Sequence, residues 1–168
     1  MIINFTGDGK GKTSAALGVA LRASGWGRRV AIIQFIKGNK AIGEYQAIQK
    51  IAGIEIFQYL DDKKLKIGLP EEKHRQTIAD IIDHFKNLLA ENRFELFILD
   101  EINNAVDHKL INDVEIISII KKYPKIDFIL TGRNASKKLL SEADLVTEMK
   151  KIKHPFDKNI IAKKGIDY

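Results

Sequence analysis

The sequence predicts an α/β fold, a mostly parallel sheet with helices on both of its faces. Three observations support this prediction. Short apolar runs rich in β-branched residues recur along the chain, segments with helical spacing separate them, and a glycine-rich turn joins the first run to the first helix. Because parallel strands need crossover connections, usually helices, this alternation favours a parallel sheet.

The predicted strands are short apolar runs, and the second of them is almost continuously apolar, as in strands buried on both faces. We predict strands at residues 1–5, 30–35, 54–57, 96–99, 126–130 and 145–149. Helices are predicted from the glycine-rich turn through Leu21 and at residues 43–52, 71–92, 113–123 and 136–143. Residues 60–70 are charged and lack periodicity, which predicts a loop. We expect residues 153–168 to form a packed loop and a short edge strand.

Composition limits the classes of protein that fit. A chain of 168 residues, 45% hydrophobic and 30% charged, is sized for one domain over residues 1–168 that buries about two-thirds of its unfolded surface. No apolar run is long enough for a membrane span, and the N-terminus does not resemble a secretory signal, so we expect a cytoplasmic protein. The absence of cysteine excludes disulfides and thiolate metal sites, and the four scattered histidines do not predict zinc.

The net charge of +6 favours an anionic partner. Many lysines occur in dispersed pairs without interleaved aromatic residues, a pattern more typical of a solvated surface than of a nucleic-acid interface. We therefore interpret these lysines as a solvated surface and favour this over nucleic-acid binding.

The glycine-rich turn reads Thr-Gly-Asp-Gly-Lys-Gly-Lys-Thr-Ser over residues 6–14 and predicts a phosphate-binding loop. Glycines let the backbone direct its N–H groups at a nucleoside triphosphate, Lys12 adds positive charge, and Thr13 supplies a hydroxyl for Mg²⁺. Thr6 stands where the strict motif has glycine, but the strand and the helix on either side support the assignment. The predicted ATP-binding residues are Gly7, Asp8, Gly9, Lys10, Gly11, Lys12, Thr13 and Ser14.

Two carboxylates follow the fourth predicted strand, at the sheet edge where ligands of open α/β sheets bind. We predict that Asp100 contacts Mg²⁺ directly or through another ligand. Glu101 fits three roles: a hydrolytic base, a metal ligand or an acceptor for a ribose hydroxyl. Arg133 follows the fifth strand and is a candidate anion contact, whereas Gln34 fits either a site residue or loop scaffolding.

Eight segments together resemble the P-loop ATP:corrinoid adenosyltransferases, and the resemblance spans nearly the whole chain. These segments are residues 6–13, 22–25, 34–38, 99–101, 131–135, 143–149, 153–157 and 164–167. The resemblance implies a P-loop NTPase-like (RecA-like) fold. It also implies transfer of the 5′-deoxyadenosyl group of ATP to the cobalt of a reduced corrinoid, with release of triphosphate.

The same resemblance assigns roles to residues. ATP lies in reversed orientation, and Lys12, Thr13 and Mg²⁺ (or Mn²⁺) offset the charge of the departing triphosphate. Asp100 or Glu101 anchors the metal or the ribose, so Thr13, Asp100 and Glu101 are metal candidates and Lys12, Thr13 and Glu101 catalytic candidates. Arg22 and Arg133 belong to the nucleotide site by matched position. The resemblance further implies a homodimer, and we consider a flavoprotein reductant as partner.

One segment departs from the resembled family. Residues 60–70 stand where its members commonly carry a Gly-Phe-Thr-Trp-like segment over the corrinoid. The apolar side chains available here to contact the corrinoid are Leu65, Ile67 and Leu69, with Phe156 near the C-terminus. We expect a relaxed or altered corrinoid preference. Two rival functions stay open: a P-loop ATPase or kinase that produces ADP, and a nucleotide-regulated protein on nucleic acid.

Overall fold

The computed structural model describes residues 1–36, 40–59 and 71–167, and these contain one six-stranded sheet. The strands are β1 (Ile2–Thr6), β2 (Val30–Gln34), β3 (Ile54–Gln58), β4 (Leu96–Asp100), β5 (Asp127–Thr131) and β6 (Leu145–Glu148). Their order is β3-β2-β4-β5-β1-β6, and every neighbouring pair is parallel. The predicted fold class is therefore confirmed.

Helices connect the strands. They are α1 (Lys12–Gly25), α2 (Gly43–Ile48), α3 (Glu71–Ala90), α4 (Ile102–Asp107), α5 (Asp113–Lys121) and α6 (Lys137–Ser141). Five of these were predicted, although α2, α5 and α6 are shorter than expected. Helix α4 was not predicted, because it has six residues and its buried face includes the polar Asn103. A 3₁₀ turn, Pro155–Lys158, follows β6.

The two faces of the sheet have separate apolar cores. On one face, α1 and α2 pack through Ala16, Ala20 and Ile48 against strand residues such as Ile32 and Ile98. On the other face, α3 to α6 cover a larger core, whose largest side chains include Phe35, Phe85, Phe97 and Phe128. Because successive strand residues point to opposite faces, buried strands such as β4 feed both cores, and the helices on both faces confirm the predicted layers.

The C-terminal prediction was wrong in two respects: the described residues between 153 and 167 are almost all exposed rather than packed, and the expected edge strand is absent. Among the described residues after Glu148 there is no strand, so the expected edge strand does not form. Ile160 and Ile161, whose apolar pair favours a strand, are 55% and 88% exposed. They do not pair with β6, which forms the edge of the sheet.

Within the described part of the chain, no helix has both the length and the apolar character required to cross a membrane.

Candidate functional site

The predicted phosphate-binding loop lies between the end of β1 and the start of α1. Gly7 and Gly11 have φ angles of 98° and 111°, which side-chain-bearing residues rarely adopt. A methyl group at Gly7 would lie 2.5 Å from the Met149 carbonyl oxygen, and one at Gly9 2.7 Å from the same atom. The Gly9 amide donates to that carbonyl at 2.6 Å. The backbone after β6 therefore supports the loop closely, and only glycine fits at these two positions.

Lys12 begins α1, and its side chain turns back over the loop. The ammonium Nζ donates to the carbonyl oxygens of Gly7 and Gly9 at 2.6 and 2.7 Å. The residue is 8% exposed. A buried positive charge held at the centre of a glycine loop, at a helix N-terminus, is suited to bind a phosphate chain.

Asp100, the last residue of β4, lies opposite the start of α1. It is completely buried, and its Oδ1 accepts hydrogen bonds from the hydroxyls of Thr13 at 2.9 Å and Thr131 at 2.7 Å. Its Oδ2 accepts from Gln34 Nε2 at 3.0 Å, and Gln34 Oε1 in turn accepts from Gln58 Nε2 at 2.6 Å. Side chains from β2, β5 and α1 thus fix the carboxylate beside the phosphate-binding loop, and Gln58 of β3 holds Gln34.

Glu101 follows directly and has a left-handed backbone, with φ 65° and ψ 19°. This conformation costs a non-glycine residue on the order of 1 kcal/mol, and such residues concentrate at functional sites. Here the Glu101 amide donates to the Thr131 hydroxyl at 3.0 Å, which holds the turn. The Glu101 side chain lines a cleft next to the glycine-rich loop, which is described below.

A polar network joins α4 to the ends of β1 and β5. Asn103 is fully buried and donates to Asn4 Oδ1 at 2.9 Å and to the Gly132 carbonyl at 3.2 Å. Asn104 Oδ1 accepts from the Arg133 amide at 2.5 Å. Gly132 has a φ of 129°, and a methyl group there would lie 2.4 Å from Asn104 Oδ1. This network brings Arg133 to the cleft.

The cleft itself has a volume of about 760 Å³ and lies at the carboxyl edge of the strands. Its walls combine the phosphate-binding loop with Glu101, Arg133 and a turn near the C-terminus. The predicted residues among those lining it are Asp8, Gly9, Lys10, Gly11, Lys12, Thr13, Ser14, Glu101 and Arg133. The volume accommodates a nucleotide-sized ligand, since pockets for such molecules span about 300–1,000 Å³.

Arg22 lies outside this cleft. It lies on α1, ten residues after Lys12, which corresponds to about 15 Å along a helix axis. Its residue is exposed, and it does not line the cleft described above. The structure therefore does not bring Arg22 to the phosphate-binding loop, and its place in the nucleotide site stays a prediction.

The structure describes only part of the predicted corrinoid contacts. Leu65, Ile67 and Leu69 lie outside the described residues. Phe156 lies in the 3₁₀ turn after β6, and only its backbone is described. At the end of β3, just before residues 60–70, the Tyr59 hydroxyl lies 2.7 Å from His84 Nδ1. Burial raises the pKa of Tyr59 to about 12, so the hydroxyl keeps its proton and anchors this strand end to α3.

Sequence reasoning missed several residues of the cleft. Asn104 was not identified, although it follows Asp100 and Glu101 closely and a run of Asn after a strand carboxylate signals a polar strand edge. Gly43 and Glu44, at the start of α2, and Ile36 also line the cleft. They are distant in the chain from both the glycine-rich loop and Glu101, and no local pattern joins them to those residues.

Comparisons with known proteins identify the family that this chain is similar to. The sequence model of the family described as ATP:corrinoid adenosyltransferase BtuR/CobO/CobP matches residues 1–168. The chain is 35% identical to the corrinoid adenosyltransferase of Escherichia coli (strain K12) over 169 residues, covering 100% of this chain and 85% of the relative. It is 36% identical to the corrinoid adenosyltransferase CobA of Salmonella typhimurium (strain LT2), with the same coverage.

Among solved structures, the fold is similar to that of the KaiC-like protein PH0186 from Pyrococcus horikoshii OT3. The TM-score is 0.50 at 14% identity, and the match covers 90% of this chain and 72% of that chain. At this level of identity the likeness concerns the fold alone.

Proposed function

The chain belongs to the ATP:corrinoid adenosyltransferase family BtuR/CobO/CobP, and from this membership we propose how its cleft performs the transfer. The reaction moves the 5′-deoxyadenosyl group of ATP to the cobalt of a reduced corrinoid. The cobalt electron pair forms a bond to C5′ while the C5′–O bond breaks, and triphosphate leaves with that oxygen. One observation carries this proposal: hydrogen bonds to the Gly7 and Gly9 carbonyls fix the Lys12 ammonium within the glycine loop.

The phosphate-binding loop serves as the leaving-group site. Lys12 and the backbone N–H groups at the start of α1 offset the negative charge that develops on the triphosphate as the bond breaks. Glu101 and Arg133 lie in the same cleft and orient the rest of the nucleotide, Glu101 by accepting from a ribose hydroxyl. The reduced cobalt needs no deprotonation, so the protein's contributions are positioning and charge stabilisation.

The residues present fit a magnesium ion. The Thr13 hydroxyl lies 2.9 Å from the Asp100 carboxylate, beside the loop, and oxygen donors of this kind suit Mg²⁺. No cluster of three potential ligands among His, Asp and Glu occurs in the part of the chain that the structure describes. This matches a site completed by phosphate oxygens and water. When bound, Mg²⁺ supplies further charge neutralisation of the triphosphate; Mn²⁺ has the same ligand preference.

Product identity tests the function. The protein is incubated with Mg-ATP and a chemically reduced corrinoid, and the phosphate products are separated. We expect triphosphate together with an adenosylated corrinoid, and no product without the corrinoid. Steady formation of ADP in the absence of corrinoid would instead support a P-loop ATPase or kinase. We further expect a flavoprotein to supply the electrons and the chain to form a homodimer. Reconstitution with a reduced flavoprotein tests the first expectation, and light scattering tests the second.

Glu101→Gln distinguishes the roles of this side chain. An amide still accepts a hydrogen bond but cannot act as a base, so a nucleotide-orienting Glu101 predicts a partial effect. We expect KM for ATP to rise about tenfold and kcat to fall less than threefold, as measured by steady-state kinetics. Glu115→Gln, in a surface ion pair with Lys86 outside the cleft, is the matched control and should match wild type. Loss of nearly all turnover with unchanged ATP affinity would show that Glu101 acts as a base.

A further inference from the structure

A turn near the C-terminus forms part of the cleft wall. Gly165, Ile166 and Asp167 line the cleft together with the phosphate-binding loop. The turn closes on itself, since the Asp167 amide donates to the Lys163 carbonyl at 2.8 Å and the Lys163 amide donates to Asp167 Oδ2 at 2.6 Å. Gly165 supplies the left-handed position, with a φ of 79°. The Asp167 carboxylate is thereby held in a fixed direction.

That direction is toward the phosphate-binding loop. Asp167 Oδ1 forms an ion pair with Lys10 Nζ, and the two side chains are 21% and 47% exposed. Lys10 is one of the two lysines of the glycine loop. A carboxylate from a segment more than 150 residues away in sequence therefore neutralises a cation of the triphosphate site. Carboxylate and phosphate oxygens pair with ammonium groups in the same way, so two such anions compete for one lysine.

We propose that Asp167 competes with triphosphate for Lys10 and so promotes release of the triphosphate product; this rests on the proposed function. Triphosphate carries several negative charges, and a carboxylate at the edge of its site weakens its binding by repulsion. When triphosphate leaves, Lys10 loses the phosphate oxygens as partners. The Lys10–Asp167 ion pair then re-forms and offsets part of the free energy of that lost contact. Asp167 thus places one negative charge in the cleft wall, and this charge keeps a strongly bound leaving group exchangeable.

The test measures binding of inorganic triphosphate to the full chain by isothermal titration calorimetry, with Mg²⁺ held constant. Asp167→Asn keeps the shape of the side chain and removes its charge. We expect this variant to bind triphosphate about fivefold more tightly than wild type, since a partly exposed ion pair corresponds to an effect of this order. In a Lys10→Ala background the same substitution should have an effect smaller than twofold, because the shared cation is gone.

A matched control separates this contact from net charge. Asp157→Asn removes one negative charge from the same C-terminal segment, where Asp157 pairs with Lys151 at 2.8 Å and does not line the cleft. Its triphosphate affinity should equal that of wild type. Thermal melts check that each variant is folded.

Unchanged or weaker triphosphate binding in folded Asp167→Asn overturns the proposal, and weaker binding would make Asp167 a residue that supports the bound state. Equal tightening in Asp157→Asn also overturns it, because the effect would then be net charge alone. If the glycine loop does not bind triphosphate at all, the titrations give a different result. In that case wild type and Lys12→Ala bind triphosphate equally well, whatever the behaviour of Asp167.

Discussion

Lys12→Ala is expected to lower the rate of adenosyl transfer about a hundredfold, equivalent to about 3 kcal/mol of transition-state stabilisation. The ammonium is buried within the glycine loop, bonded to the carbonyls of Gly7 and Gly9. When ATP lies in the loop, this charge faces the triphosphate, whose negative charge grows as the C5′–O bond breaks. Steady-state kinetics with saturating reduced corrinoid measures the effect, and direct titration with triphosphate should show weakened binding.

We expect Lys12→Ala to lower the free energy of unfolding by less than it raises the barrier to adenosyl transfer. The alanine variant loses two hydrogen bonds to loop carbonyls, worth about 1 kcal/mol each, while the apolar cores on both sheet faces are untouched. Lys121→Ala is a suitable control, because it removes a surface lysine paired with Glu142 outside the cleft. A well-folded Lys12→Ala variant with wild-type turnover would rule out this loop as the leaving-group site.

The strands, the longer helices and the phosphate-binding loop were predictable because their signals are local. Glycine spacing at Gly7, Gly9 and Gly11 directly reflects the backbone that a phosphate cradle requires, and Asp100 follows an unbroken apolar strand. The start of α5 was predicted correctly at residue 113, and the structure shows that Asn112 caps the helix by accepting from the Val114 amide at 2.8 Å. Each of these features depends on residues within a few positions of one another.

The features that were missed depend on contacts between distant segments. Gly132 is required because Asn104, on another element, approaches within 2.4 Å of where a methyl group would lie. The strained backbone of Glu101 is held by the hydroxyl of Thr131, thirty residues away. The ion pair between Lys10 and Asp167 spans almost the whole chain. Neither periodicity nor propensity carries information about such pairings, and the failed edge strand at Ile160 shows the same limit.

Asp100 combines a feature that the sequence predicted with contacts that it did not predict. Its position after β4 is a sequence signal, but its hydrogen bonds to Thr13, Thr131 and Gln34 are tertiary. A carboxylate that is ionised can only accept, so it sets the direction of the whole chain of amides. Gln34 must donate to Asp100, and therefore accepts from Gln58. Gln58 Oε1 is left buried with no donor among the described residues.

This arrangement makes Asp100→Asn a test of charge rather than of packing. The new amide nitrogen would face Gln34 Nε2, but Gln34 can turn its oxygen toward it, and Gln58 can then present its unpaired Oε1 to Gln34. The threonine hydroxyls rotate to suit the remaining oxygen. One buried amide atom of Gln58 stays unpaired, as before the substitution, but it is now Nε2 instead of Oε1. The number of unpaired groups does not change, so we expect the free energy of unfolding to fall by only about 1 kcal/mol.

The rate of transfer should nevertheless fall about a hundredfold, because Thr13 loses the negative charge that orients its hydroxyl and complements Mg²⁺. The measurement pairs kcat at saturating Mg-ATP and corrinoid with a denaturation curve for the same preparation. Asp107→Asn is the matched control: its carboxylate accepts from Asn134 at 2.8 Å at the end of α4, and does not line the cleft. If Asp100→Asn were folded and fully active, the carboxylate would serve only to tie the strand ends together, and the metal would have to be held without it.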